Sequence, residues 1–132
     1  MILVDSNIWI DIMGSPSVWS DWSAGQLKLA RTQGAIAINP VIYAEMAAAF
    51  DEKAALDTFL QPLKIKYMPL TEQAAYLAGQ AFWIYRHRKG AKTGVLPDFF
   101  IGAHAQAENW TLLTRDATRY RSYFPDIRLI CP

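Results

Sequence analysis

A chain of 132 residues, 52% hydrophobic and 19% charged, is long enough to bury one full core and too apolar to stay disordered. Its net charge of +1 excludes a globally basic nucleic-acid binder, so any such surface must be a local patch. Polar residues also break every apolar run well short of a membrane span. The single cysteine, Cys131, cannot close an intramolecular disulfide, which points to a reducing cytoplasm.

The first stretch, Ile2 to Ile8, is organised as three branched apolar residues running into Asp5, Ser6 and Asn7. Such an aliphatic run suits a strand buried on both faces of a parallel sheet, with Asp5 at its carboxyl end. It meets Asp5 too early for a signal peptide, and no basic segment precedes it. Ser6 or Asn7 is placed to cap a short helix over residues 8–13, stopped by Gly14-Ser15-Pro16. Ser17 opens a helix to about Arg31, with Gly34 as its stop. Residues 35–38 form a second short strand, and Asn39-Pro40 starts the helix that carries Glu45. Residues 52–60 form a helix closed by Pro62, and residues 65–68 a weak strand. Thr71 and Glu72 open the longest helix, which ends in Arg86-His87-Arg88-Lys89. Residues 90–97 read as a loop, Asp98 as the opening of a helix, residues 111–114 as a strand, and residues 127–130 as a last strand. Strands alternating with helices give a single α/β domain over residues 1–132, its parallel sheet covered on both faces.

In such a sheet every strand-to-helix turn opens on one edge, so Asp5, Glu45, Asp98 and Asp116 converge there from four segments. Carboxylates held that close repel one another, and burial raises their pKa values unless a cation compensates. Hard oxygen ligands without a histidine or cysteine partner select magnesium or manganese over zinc. A site of this kind suits attack of water on a phosphodiester. Each acid taken alone has an alternative as a helix cap or a solvated side chain. Glu45 resists that reading, because its neighbours are Tyr43, Ala44, Met46, Ala47 and Ala48.

The ordered set of motifs resembles the PIN-domain family and, within it, the VapC-type toxins of bacterial toxin–antitoxin pairs. It runs from 2–9 (ILVDSNIW) through 39–45 (NPVIYAE) and 96–105 (LPDFFIGAHA) to 111–116 (TLLTRD), with 119–125 (RYRSYFP) resembling one branch of these toxins. The resemblance implies a PIN-like three-layer fold with about five parallel strands between helices, and a magnesium-dependent endoribonuclease in which manganese can substitute for magnesium. It also implies a homodimer and a cognate VapB-like antitoxin. Operator DNA would be met only through the antitoxin complex. Carried over by position, Asp5, Asp98, Asp116 and Glu45 match the metal-binding and catalytic acids. Ser6, Asn7 and Thr114 match residues that orient them, and Arg115 a common neighbour of the fourth acid.

Arg86, Arg88, Lys89 and Lys92 form the best local basic patch, fit either for RNA phosphates or for complementing a helix C-terminus. His104 does not share a helical face with Asp98 and reads as a packed or hydrogen-bonded residue, and His87 as a surface one. The tryptophans at 9, 19, 22, 83 and 110 read as core and interface residues. Trp19 and Trp22 share a face open to a hydrophobic partner helix. The competing class is a catalytically weak scaffold that acts as a binding module with an antitoxin on operator DNA. The complete acidic set argues against it, because a module freed from chemistry need not keep mutually repelling carboxylates together.

Overall fold

The computed structural model describes residues 1–88, 90–91 and 94–132. Five short strands, β1 (Ile2–Val4), β2 (Ile36–Ile38), β3 (Lys66–Tyr67), β4 (Thr111–Leu113) and β5 (Arg128–Ile130), form one sheet in the order β3-β2-β1-β4-β5. Every neighbouring pair is parallel. The helices are α1 (Ser6–Met13), α2 (Ser20–Gln33), α3 (Pro40–Ala47), α4 (Lys53–Leu60), α5 (Glu72–His87), α6 (Leu96–Glu108) and α7 (Thr118–Tyr123). From β1 the chain steps outward through β2 to β3, and from β4 it steps the other way to β5. Right-handed crossovers running in opposite directions put helices on both faces and leave a crevice where the direction reverses. That reversal lies between β1 and β4, whose ends are in register at Val4 and Leu113.

The central strands are apolar because both of their faces are covered: Leu3, Val4, Ala37, Ile38, Leu112 and Leu113 are all at 0–1% exposure. Trp9 is wholly buried, and its indole N–H donates to the Val4 carbonyl at 3.1 Å, which satisfies the one polar atom it brings into the core. At the edge, β3 presents Lys66 and Tyr67 to solvent.

Several boundaries differ from the sequence reading. Asp5, not Ser6 or Asn7, occupies the N-cap position of α1, and its side chain makes no capping bond. Ser17 forms a turn, its hydroxyl accepting from the Trp19 N–H at 3.2 Å, and α2 begins only at Ser20. Helix α6 begins two residues earlier than expected, with Pro97 in its first turn, so Asp98 lies inside that turn rather than at its opening. Helix α7 was not foreseen: it has six residues, and Ala117 at its N-cap carries no capping side chain. Asn39 and Thr71 do cap as expected, accepting from the backbone N–H of Ile42 at 2.9 Å and of Ala74 at 3.1 Å. Gly14 and Gly34 close α1 and α2.

Candidate active site

Asp5 and Thr114 are the residues that directly follow the paired ends of β1 and β4, and the Asp5 N–H still donates to the Leu113 carbonyl at 2.9 Å. The sheet thereby holds the Asp5 backbone. Its side chain is held as firmly. Oδ2 accepts from the Thr114 hydroxyl at 2.8 Å and the Tyr120 hydroxyl at 2.9 Å, with the Asn7 amide at 3.4 Å. Among the described residues Oδ1 has only the Ser6 hydroxyl at 3.4 Å, a long contact, because Ser6 points instead at Glu45 Oε1, 2.9 Å away. One oxygen of Asp5 is thus committed to the protein, and the other lies beside the hydroxyl that bonds Glu45.

Glu45 reaches the same edge from the middle of α3, and Asp98 from the first turn of α6. Burial pushes Asp5 above the usual carboxylate range against the pull of Thr114 and Tyr120, and the charge of Asp98 adds to the rise. Partial burial does the same to Glu45, opposed by Ser6 and reinforced by Asp5 and Asp98. Burial also raises Asp98, although Arg119 pulls it down through a 2.7 Å bond from Nη1 to Oδ2. The three acids therefore feel one another, as expected of like charges gathered on one edge, but loss of water contributes more than their repulsion. Tyr120, buried among the carboxylates, is driven well above its ordinary pKa and stays a hydrogen-bond donor.

Asp116 lies further out. It is exposed, its Oδ1 accepts from the Thr118 N–H at 3.3 Å, and its charge reaches Asp98. Thr114 ties it to the centre: the threonine hydroxyl that serves Asp5 also accepts the Asp116 N–H at 3.2 Å. Asn7 closes this frame, donating to Thr114 Oγ1 at 3.2 Å and accepting the Arg115 N–H at 3.2 Å. As the side chains stand, no three acidic or imidazole groups among the described residues are drawn into position around one ion. Asp98 is turned to Arg119 and Asp116 to the start of α7.

Arg115 is a built-in brace. Its guanidinium makes two bonds to Asp11, Nε to Oδ2 at 2.9 Å and Nη2 to Oδ1 at 3.1 Å, and lies 5.4 Å from the centre of the Trp19 ring. Trp19 meets Trp22 edge to face, so the aromatic pair is partly covered by the chain itself. His104 is buried and has Nδ1 3.2 Å from the Asn39 amide nitrogen; since Asn39 Oδ1 accepts from Ile42, that nitrogen donates and His104 accepts. Burial lowers its pKa, which keeps the accepting nitrogen free of a proton. It is a packing residue that locks α3 to α6.

Arg86 and Arg88 are exposed at the end of α5, and Arg88 lies 5.3 Å from the centre of the Tyr123 ring. Tyr123 packs on Tyr85, over which Arg119 lies at 5.8 Å, so these two arginines flank one aromatic pair beside Asp98. Lys89 and Lys92 lie outside the described residues. His87 is exposed and stacks on Trp83, which is 61% exposed and belongs to no core. An apolar groove lined by Val41, Ala44, Leu96, Pro97 and Phe100 runs past Glu45.

Arg119 and Tyr120 are the contacts that sequence reasoning missed. The stretch containing them contributed to the family resemblance, but a six-residue helix shows no apolar period, and nothing local says that its tyrosine reaches a residue 115 positions away.

The PIN domain family model matches residues 2–124. No curated protein sequence matches. Among solved structures, VapBC2 from Rickettsia felis, crystallised with a promoter DNA fragment, superposes with a TM-score of 0.75 at 21% identity, covering 100% of this chain and 99% of that one. The DNA-bound VapBC of Salmonella typhimurium gives 0.72 at 16% identity, covering 98% and 96%. VapC20 of Mycobacterium tuberculosis, described as a toxin that cleaves the sarcin–ricin loop, gives 0.64 at 15% identity, covering 97% and 99%.

Proposed function

Because the chain belongs to the PIN-domain family and gathers one buried and two partly buried carboxylates at the reversal point of its sheet, we propose that it is a divalent-metal-dependent endoribonuclease, the toxin of a toxin–antitoxin pair. The observation that carries this reading is Asp5: a buried carboxylate with one oxygen saturated by Thr114 and Tyr120, the other beside the Ser6 hydroxyl that bonds Glu45, and the charge of Asp98 close enough to act on it. Carboxylates desolvated together hold their protons unless a cation joins them, and an all-oxygen set fits magnesium or manganese.

Asp5, Asp98 and Asp116 would hold one or two ions, with Glu45 as a further ligand through water or as the group that positions the attacking water. A bound ion supplies polarisation of the phosphate oxygen and a water of lowered pKa. Thr114 and Tyr120 prevent Asp5 from rotating, and Ser6 aims Glu45 inward. Glu45, with its raised pKa and partial exposure, is suited to take the proton released by the attacking water. Hydrolysis of this kind makes no use of the ribose 2′-hydroxyl, so the preference for RNA comes from contacts outside the acids. Arg86 and Arg88, exposed at the end of α5, would meet RNA phosphates, and the position of Arg88 over Tyr123 supports that role.

The VapBC neighbours support a VapB-like antitoxin as partner, and the two DNA-bound ones support operator binding through that complex. The exposed apolar face of α5, with Tyr76, Trp83 and Ile84, supports a homodimer. Among the described residues no helix is long and apolar enough to cross a membrane.

The test is cleavage of a mixed transfer and ribosomal RNA pool in magnesium, in manganese and in chelator, beside Asp5→Asn. Discrete metal-dependent fragments are expected from wild type. The Asp5→Asn variant should fall by more than about 100-fold, beyond the effect of losing a residue that only orients a ligand. Fragments that persist in that variant at the wild-type rate would sink the site assignment. Folded, antitoxin-free wild type that cuts nothing and gains no thermal stability from magnesium would favour the binding-module reading.

A further inference from the structure

Arg119 stands where a cation belongs. Its guanidinium donates through Nη1 to Asp98 Oδ2 at 2.7 Å, on the carboxylate that feels Asp116 and acts in turn on Asp5 and Glu45. We propose that Arg119 is an internal counter-cation of the acidic site: it neutralises Asp98 in the metal-free protein, and a divalent ion must displace it to take that carboxylate. This rests on the reading of the acids as metal ligands.

Three observations carry it. The contact is one nitrogen to one oxygen, and both side chains keep a solvent-facing part, 26% exposed for Arg119 and 36% for Asp98, so water and ions can reach the pair. The guanidinium also lies 5.8 Å from the centre of the Tyr85 ring, which offers it a resting surface once Asp98 is given up. Finally, the next residue, Tyr120, is anchored on Asp5, so displacement of Arg119 is a side-chain swing on a fixed helix rather than loss of α7. The same six-residue helix thus holds one acid ready and keeps the other occupied. Arg119 acts through Asp98 and is a positioning residue, not a catalytic one.

A competitor lowers apparent affinity by the fraction of sites it occupies. Removing it should therefore tighten metal binding, the opposite sign to structural damage, which would loosen Tyr120 and weaken binding. The experiment is titration of Mn2+ into metal-stripped protein, followed by electron paramagnetic resonance of the free ion, for wild type, Arg119→Gln and Arg119→Lys. Arg119→Gln is expected to bind Mn2+ about three- to tenfold more tightly, the range a partly exposed ion pair supports. Arg119→Lys should fall between, and it carries the test if the glutamine variant does not fold. Equal or weaker binding by folded variants, with wild type binding Mn2+, overturns the counter-cation role and leaves the metal reading standing. No Mn2+ binding by any of them overturns both.

Discussion

Arg115 and Arg119 leave the same end of the sheet, and each pairs with an aspartate of a distant helix, yet the two pairs are built differently. Arg115 grips Asp11 with two parallel bonds, the aspartate side chain is only 6% exposed, and the Ser23 hydroxyl adds a third bond at 2.6 Å. Arg119 holds Asp98 by a single bond, and the aspartate is 36% exposed. The first pair has its lone pairs filled and nothing else to do: it fastens the turn after β4, and with it Asp116, to α1 and α2. The second has a carboxylate shared with other acids and open to exchange. An ion pair that is saturated and buried serves the fold, and one that is single and reachable serves a site.

Stability measurements should separate the two first. Arg115→Ala leaves Asp11 buried against Ser23 alone. It should lower unfolding free energy by on the order of 2–3 kcal/mol, toward the low end for a broken buried pair because the guanidinium is itself partly solvated. Arg119→Gln should cost less than about 1 kcal/mol. Urea unfolding of the two variants checks this, and equal losses would erase the distinction.

Gly102 sharpens the comparison from the packing side. A Cβ built there would lie 2.5 Å from the Phe124 ring and 3.0 Å from the Tyr120 ring, both buried, so only glycine lets α7 sit this close to α6. Gly102→Ala should cost about 1–3 kcal/mol as an overpacked core and should also weaken Mn2+ binding by shifting Tyr120 off Asp5. A stability loss without an effect on Mn2+ would detach α7 from the site. Tyr120→Phe removes the hydroxyl alone. Cleavage or metal affinity should fall by about 10- to 100-fold, as for other groups that orient a ligand, with little change in unfolding because Thr114 still serves Asp5.

The smallest effect is the pH dependence of the metal-free protein. Asp5, Glu45 and Asp98 have folded pKa values raised above their unfolded ones, so the folded state binds protons more tightly than the unfolded chain. Their contribution is fully present below the unfolded carboxylate pKa and is lost as pH rises through the raised folded values. His104 is shifted the other way, so its contribution is present above the ordinary histidine pKa and is lost as pH falls. In chelator, the melting temperature of Asp5→Asn minus that of wild type should therefore grow from acid to neutral pH, and magnesium should reverse it. A flat difference would mean that the carboxylate is not held against its preference.

The fold class was legible because its cause is local: branched apolar runs of three or four residues, punctuated by Asn39-Pro40, Thr71 and Gly34, leave few arrangements other than an alternating parallel sheet. The positions of Asp5, Thr114 and Glu45 follow from that alternation, since the first two stand just beyond a strand's carboxyl end and Glu45 lies on the helix that follows β2. What the sequence by itself determined was therefore which residues reach the edge. Only the tertiary structure decided how they are held there. The Tyr120–Asp5, Arg119–Asp98 and Arg115–Asp11 contacts join residues separated by 115, 21 and 104 positions. No periodicity or cap can announce a contact across such a separation. It exists because the sheet order brings β1 beside β4, and because Gly102 lets a short helix settle over the acids.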